Sequence, residues 1–130
     1  MNNVLIIILA IFGLFVAAQL YVRVSTFRKK GKAVTDVPGK LGKEINQGKK
    51  LLLYFYTHSC AACKNMTPLI DKLSGEHDNV RKVNLGTDMD VGRKFGVMAT
   101  PTLVLVEDGI IKSFLIGAKS YSQLKTLLEN

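Results

Sequence analysis

A chain of 130 residues with 48% apolar and 22% charged side chains holds one globular domain plus an appendage, and it is too apolar to stay disordered. Its formal charge of +8 is uneven: residues 23–50 carry nine Lys and Arg against Asp36 and Glu44, whereas residues 51–130 carry nine against eight acids. A nucleic-acid partner needs a basic stripe on the domain itself and is therefore excluded, and two cysteines are too few to staple a small secreted scaffold, so Cys60 and Cys63 read as chemical rather than architectural.

The first predicted element is a membrane anchor over residues 1–22. Val4 to Val22 reads VLIIILAIFGLFVAAQLYV, with Gln19 its one polar amide and no charge. At 1.5 Å per residue such a run reaches about 28 Å, close to the roughly 30 Å of hydrocarbon in a bilayer. A domain this small has nowhere to bury a helix that is apolar all round. A cleavable signal peptide is the rival, with Val16, Ala17 and Ala18 as its small residues, but Met1, Asn2 and Asn3 supply no basic n-region. Tyr21 suits an interfacial aromatic, which favours a retained single-pass span.

Residues 23–38 follow as a basic juxtamembrane tether, with a short strand expected over 33–37. Basic residues on the C-terminal flank of a span bias that flank toward the cytoplasm, so the domain is expected there; the alternative is an exported domain facing outside. The same cations attract anionic headgroups, each contributing on the order of 1 kcal/mol near the surface.

The globular domain is expected over residues 39–130. A short helix from Gly39 to Gln47 ends at Gly48. LLLYFY, 51–56, is a continuous apolar run of strand length and suits a strand covered on both faces. Met66, Leu69, Ile70 and Leu73 share one helical face, in a helix that begins near Cys60, stops at Gly75 and is expected to kink at Pro68. Val80–Leu85 reads as a strand and Asp88–Phe95 as a short helix closed by Gly96. The strands 102–106 and 110–116 flank an Asp-Gly turn at 108–109, and Ser120 with Gln123 forms a capping box opening a final helix. This order, with parallel crossovers and an antiparallel edge, makes an α/β sandwich.

The cysteines thus fall between a strand end and a helix start. Three apart on a helix they share a face, and the unpaired N–H groups and dipole of the first turn favour a thiolate. An exposed thiolate with a second thiol in reach can attack a disulfide and then resolve the mixed intermediate.

From about residue 48, and more loosely from residue 34, the chain resembles the thioredoxin family. CAACK follows an apolar strand, Pro68 sits five residues beyond the second cysteine, ATPT at 99–102 precedes the hairpin, and Gly109 and Gly117 also match. The resemblance implies a thioredoxin-like α/β fold, a mixed central sheet flanked by helices. It also implies that Cys60 attacks and Cys63 resolves, and that Pro101 is cis. The backbone at Thr100 would dock an extended protein segment as an added strand. The implied activity is thiol-disulfide exchange without a bound cofactor, on protein disulfide or dithiol partners, with an upstream redox partner to recharge the pair; the expected anchor puts those partners near the membrane. Departures stand beside the matches: Ser59 replaces the family's tryptophan, Ala61 and Ala62 replace Gly-Pro, and the family's buried acid falls at Tyr54, while Lys82 matches the lysine that accompanies it. Tyr54 reads as core filling, Ser59 as an N-cap or loop residue, His58 as a solvated loop residue, His77 as a surface turn and Met66 as core. The alternative function is copper or zinc delivery by the same two thiolates, although a closed zinc site wants four ligands and only His58 or a second molecule could add to them.

Overall fold

The computed structural model describes residues 2–130, the side chains of Thr26 and Phe27 excepted; Met1, the first residue of the expected anchor, lies outside the described residues. Helix α1 runs from Asn2 to Lys29. Its Asn2–Ser25 part is long and apolar enough to cross a membrane, and none of its most apolar window is buried. The helix continues past Val22 because nothing from Arg23 to Lys29 breaks it, and Arg28 and Lys29 suit the negative end of its dipole. Gly31, at φ +85°, turns the chain.

Beyond that turn the chain lies along the sheet. Gly31 N–H donates to the Ile111 carbonyl at 2.7 Å and Val34 N–H to the Gly109 carbonyl at 2.8 Å, and Val34 is buried. The strand expected over 33–37 shrinks to a single bridge between Ala33 and Ile110. Asp36, with φ +59°, and Pro38 take the chain out of extended pairing.

The sheet contains β1 (Leu51–Tyr56), β2 (Val80–Asn84), β3 (Thr102–Glu107) and β4 (Ile110–Ile116), in the order β2-β1-β3-β4. β1 is parallel to β2 and antiparallel to β3, and β4 is antiparallel to β3. The β3–β4 turn is Asp108-Gly109 with φ +55° and +73°, the paired positive dihedrals that match strand twist in a two-residue hairpin.

Four further helices cover the sheet: α2 (Gly39–Asn46), α3 (Ala61–Glu76), α4 (Met89–Phe95) and α5 (Tyr121–Glu129). Alternation along β1 explains why every side chain in it is apolar or aromatic. Leu51, Leu53 and Phe55 join Ile45, Phe95 and Phe114 on one face, while Leu52 and Tyr54 join Met66, Ile70, Leu73 and Leu124 on the other. Helix α3 carries Pro68 within an unbroken span that runs to Glu76, one residue past the expected stop at Gly75.

Glu44 of α2 is buried and takes a forked pair of hydrogen bonds from Arg81 of β2, at 2.7 and 3.1 Å. The Arg81 hydrogen bond holds the Glu44 carboxyl below its ordinary range. Its stabilisation is therefore present above the unfolded carboxylate pKa near 4.5 and is lost as pH falls through the lower folded value. Glu44→Gln is expected to lower stability at pH 7 by about 1–2 kcal/mol, less than a fully buried pair because Arg81 remains partly exposed. Urea midpoints should show the deficit narrowing at pH 3; a deficit constant with pH would remove the ion pair as its cause.

Candidate active site

The site is built where β1 ends and α3 begins. Cys60 has extended backbone, φ −80° and ψ 113°, and is the N-cap of α3. Its sulfur accepts the Cys63 backbone N–H at 3.2 Å. Ser59, read from the sequence as an N-cap or loop residue, places its hydroxyl 3.4 Å from that of Thr57 and lies in the exposed turn. The cap position falls to the sulfur because the Cys60–Cys63 disulfide, with Cα atoms 5.2 Å apart, holds it over the first turn of the helix. An N–H aimed at Cys60 Sγ, together with the dipole of a 16-residue helix, favours negative charge on that sulfur once the bond opens.

The two sulfurs differ in access. Cys63 is 2% exposed and packs in the α3 face of the core, whereas Cys60 is half-buried at its rim. An incoming disulfide can therefore meet Cys60 but not Cys63.

The sheet register carries a second segment to the same end. Phe55 pairs with Thr102, so Pro101 stands one step further on, opposite the end of β1. The Thr100–Pro101 peptide is cis, as the resemblance implied. Pro101 is buried, and its carbonyl accepts the Gly117 N–H at 2.9 Å, tying the loop to the end of β4. The Thr102 hydroxyl donates to the Ala99 carbonyl at 2.7 Å and closes the loop from the other side. Met98, 92% exposed, stands just before this loop.

Beneath the disulfide lies a hydroxyl pair. Tyr54, fully buried, donates to the Cys63 carbonyl at 3.2 Å and lies 3.1 Å from the Thr67 hydroxyl, which itself donates to the same carbonyl at 2.8 Å. Burial raises the Tyr54 pKa above its usual value, against the opposing effect of the Thr67 hydrogen bond, so the phenol stays neutral at physiological pH. Tyr54 stacks on Tyr56, and the exposed His58 meets Tyr56 edge-on. Lys82, beside Tyr54 in register, pairs with Asp71 at 2.7 Å on the surface, and that hydrogen bond raises its pKa. Thr67 escaped the sequence reading; its signal, a hydroxyl four residues after Cys63, is also that of an ordinary helix threonine.

These features coincide with the comparisons. A family model described as Thioredoxin matches residues 30–130. The chain belongs to the thioredoxin family. The thioredoxin of Pseudomonas aeruginosa is 32% identical over 82 residues, covering 61% of this chain and 76% of that protein. That of Mycobacterium tuberculosis is 29% identical over 83 residues, covering 62% and 72%. Among solved structures, Fasciola hepatica thioredoxin superposes with a TM-score of 0.60 at 28% identity, covering 68% of this chain and 89% of that one. A mutant thioredoxin from Halobacterium salinarum gives 0.62 at 25% identity, covering 78% and 89%. The chain is accordingly a thiol-disulfide oxidoreductase of thioredoxin fold, with a CxxC pair able to form a disulfide.

Proposed function

We propose that this thioredoxin-like domain is held at a membrane by α1 and exchanges disulfides with membrane-proximal proteins, Cys60 attacking and Cys63 resolving. The observation that carries the roles is the capping geometry: Cys60 Sγ is the rim sulfur and receives the helix N–H, while Cys63 is shut in the core. In the reducing direction the Cys60 thiolate displaces one sulfur of the partner's disulfide. The Cys63 thiolate then displaces Cys60's new partner, leaving the Cys60–Cys63 disulfide and a partner dithiol; two electrons pass to the partner, and an upstream dithiol returns them. Thr100 offers its backbone to an extended partner segment, in a loop tied by the bonds from Gly117 N–H to the Pro101 carbonyl and from the Thr102 hydroxyl to the Ala99 carbonyl. Metal delivery by the same thiolates is the weaker reading, since among the described residues no third His, Cys, Asp or Glu joins them in a cluster.

Two measurements test this. In the reduced chain, iodoacetamide labelling across pH should show Cys60 titrating well below the ordinary thiol value of about 8.5. An ordinary titration would remove the activated nucleophile. For topology, the nine basic residues on the C-terminal flank lead to an expected orientation with the domain in the cytoplasm. A reporter active only outside the cytoplasm and fused after Asn130 should be silent, and the chain should stay with membranes through a high-salt wash. An active reporter would reverse the orientation, and a soluble product starting near Gln19 would make the segment a signal peptide.

A further inference from the structure

An open niche of about 480 Å3 lies at the C-terminal end of α1, lined by Tyr21, Val24, Ser25, Arg28, Lys29 and Lys32. Its residues on α1 follow helical spacing and so share one face, and Lys32 closes it from beyond the turn. That closure is fixed by the domain. Gly31, at φ +85°, reverses the chain, Lys32 N–H reaches the Lys29 carbonyl, and the Lys32 carbonyl accepts the Ile111 N–H at 3.0 Å. Lys29 is committed elsewhere, its ammonium donating to the Gly96 carbonyl at 2.6 Å and lying 4.7 Å from the centre of the Phe114 ring. The charge offered to the niche therefore comes from Arg28 and Lys32, whose side chains make no hydrogen bond or ion pair among the described residues. No Asp or Glu occurs between residues 23 and 32 to neutralise them.

Depth selects the ligand. With the apolar run ending at Val22, Ser25 lies about 5 Å and Arg28 about 9 Å further along the helix. The polar layer outside the hydrocarbon is roughly 5–8 Å thick on each side. Helical side chains lean toward the N-terminus, so the Arg28 fork, whose backbone stands just outside that layer, reaches back into it beside the Ser25 hydroxyl, while Tyr21 enters from the hydrocarbon edge with its hydroxyl at the inner side of the layer. A guanidinium fork, an ammonium and two hydroxyls form a donor set without an acceptor charge, the complement of a phosphodiester.

Resting on the membrane-anchor reading above, we infer that this niche is a seat for the phosphate of one anionic phospholipid, formed where the domain folds Lys32 back onto α1. It differs from diffuse attraction to the basic segment in being local and resistant to screening.

The test uses the full chain in phosphatidylcholine vesicles with a trace of spin-labelled phosphatidylglycerol or spin-labelled phosphatidylcholine, and reads the motionally restricted fraction of each. The wild type should prefer phosphatidylglycerol several-fold, and the preference should survive high salt that screens exposed charges. Arg28→Gln with Lys32→Gln should bring the ratio near unity while thiol exchange is retained. Lys112→Gln with Lys119→Gln, which removes the same charge elsewhere, should leave the preference intact. A preference lost in high salt, or reduced equally by both double variants, would overturn the seat in favour of diffuse attraction. Loss on adding millimolar inorganic phosphate would overturn the lipid in favour of a soluble anion. A chain stripped from the vesicles by alkaline carbonate would overturn the anchor, and the seat with it, by a readout separate from lipid preference.

Discussion

Cys63→Ser is expected to stall the protein at the mixed disulfide, and Cys60→Ser to reduce exchange to the uncatalysed rate. The asymmetry follows from burial. Cys60 is the sulfur at the rim, and Cys63, 2% exposed, is bonded to Cys60 and otherwise packed in the core. Once Cys60 has joined a partner, release requires attack by Cys63 from inside the same helix turn, so a serine there removes the intramolecular exit. Partners should then be recovered on nonreducing gels as covalent complexes that vanish with dithiothreitol. Cys60→Ser should trap few or none, because the remaining thiol is shielded. Equal trapping by both variants would overturn the assignment of roles. Absence of trapping, joined to tight stoichiometric copper or zinc binding by the wild type, would transfer the two thiolates to metal delivery.

Much of this frame is written locally in the chain. LLLYFY declares a strand covered on both faces because alternate residues enter two separate clusters, and Asp108-Gly109 declares a tight hairpin through the positive φ both residues adopt. The capping box at Ser120 and Gln123 formed with both reciprocal bonds. What stayed hidden depends on partners remote in sequence. Composition alone makes residues 23–38 look like a loose tether; Lys29 finds Gly96 and Phe114, and Val34 finds Gly109, only after the sheet exists. The cap at Cys60 was masked by Ser59, a better capping residue by type, because a disulfide rather than propensity decides which side chain overhangs the turn. The bond from Tyr54 to Cys63 likewise joins a strand to a helix, and nothing in the spacing of either element announces it.

Tyr54→Ala is expected to cause the largest loss of stability of any substitution beside the site, about 3–5 kcal/mol, the range for deleting a buried aromatic ring. Set against the roughly 5–15 kcal/mol of a typical domain, this is a large share of the whole. The ring is fully buried between Leu52 and Tyr56 on β1, stacks on Tyr56 with centroids 5.4 Å apart, and caps the core face formed by α3. Tyr54→Phe separates ring from hydroxyl. It keeps the packing and removes the bonds to Cys63 and Thr67, while Thr67 still serves the Cys63 carbonyl, so the expected loss at pH 7 is only about 1 kcal/mol. The pH dependence gives the check. Because burial raises the folded pKa of Tyr54 above the ordinary 10.0, its contribution is complete below that value and is lost as pH rises through the folded one. Urea unfolding of the detergent-solubilised chain, followed by near-ultraviolet circular dichroism, should therefore find the wild type and Tyr54→Phe separated at pH 7 and converging in strong alkali. If the two coincide at every pH, the hydroxyl pair beneath the disulfide contributes nothing, and Tyr54 acts through its ring alone.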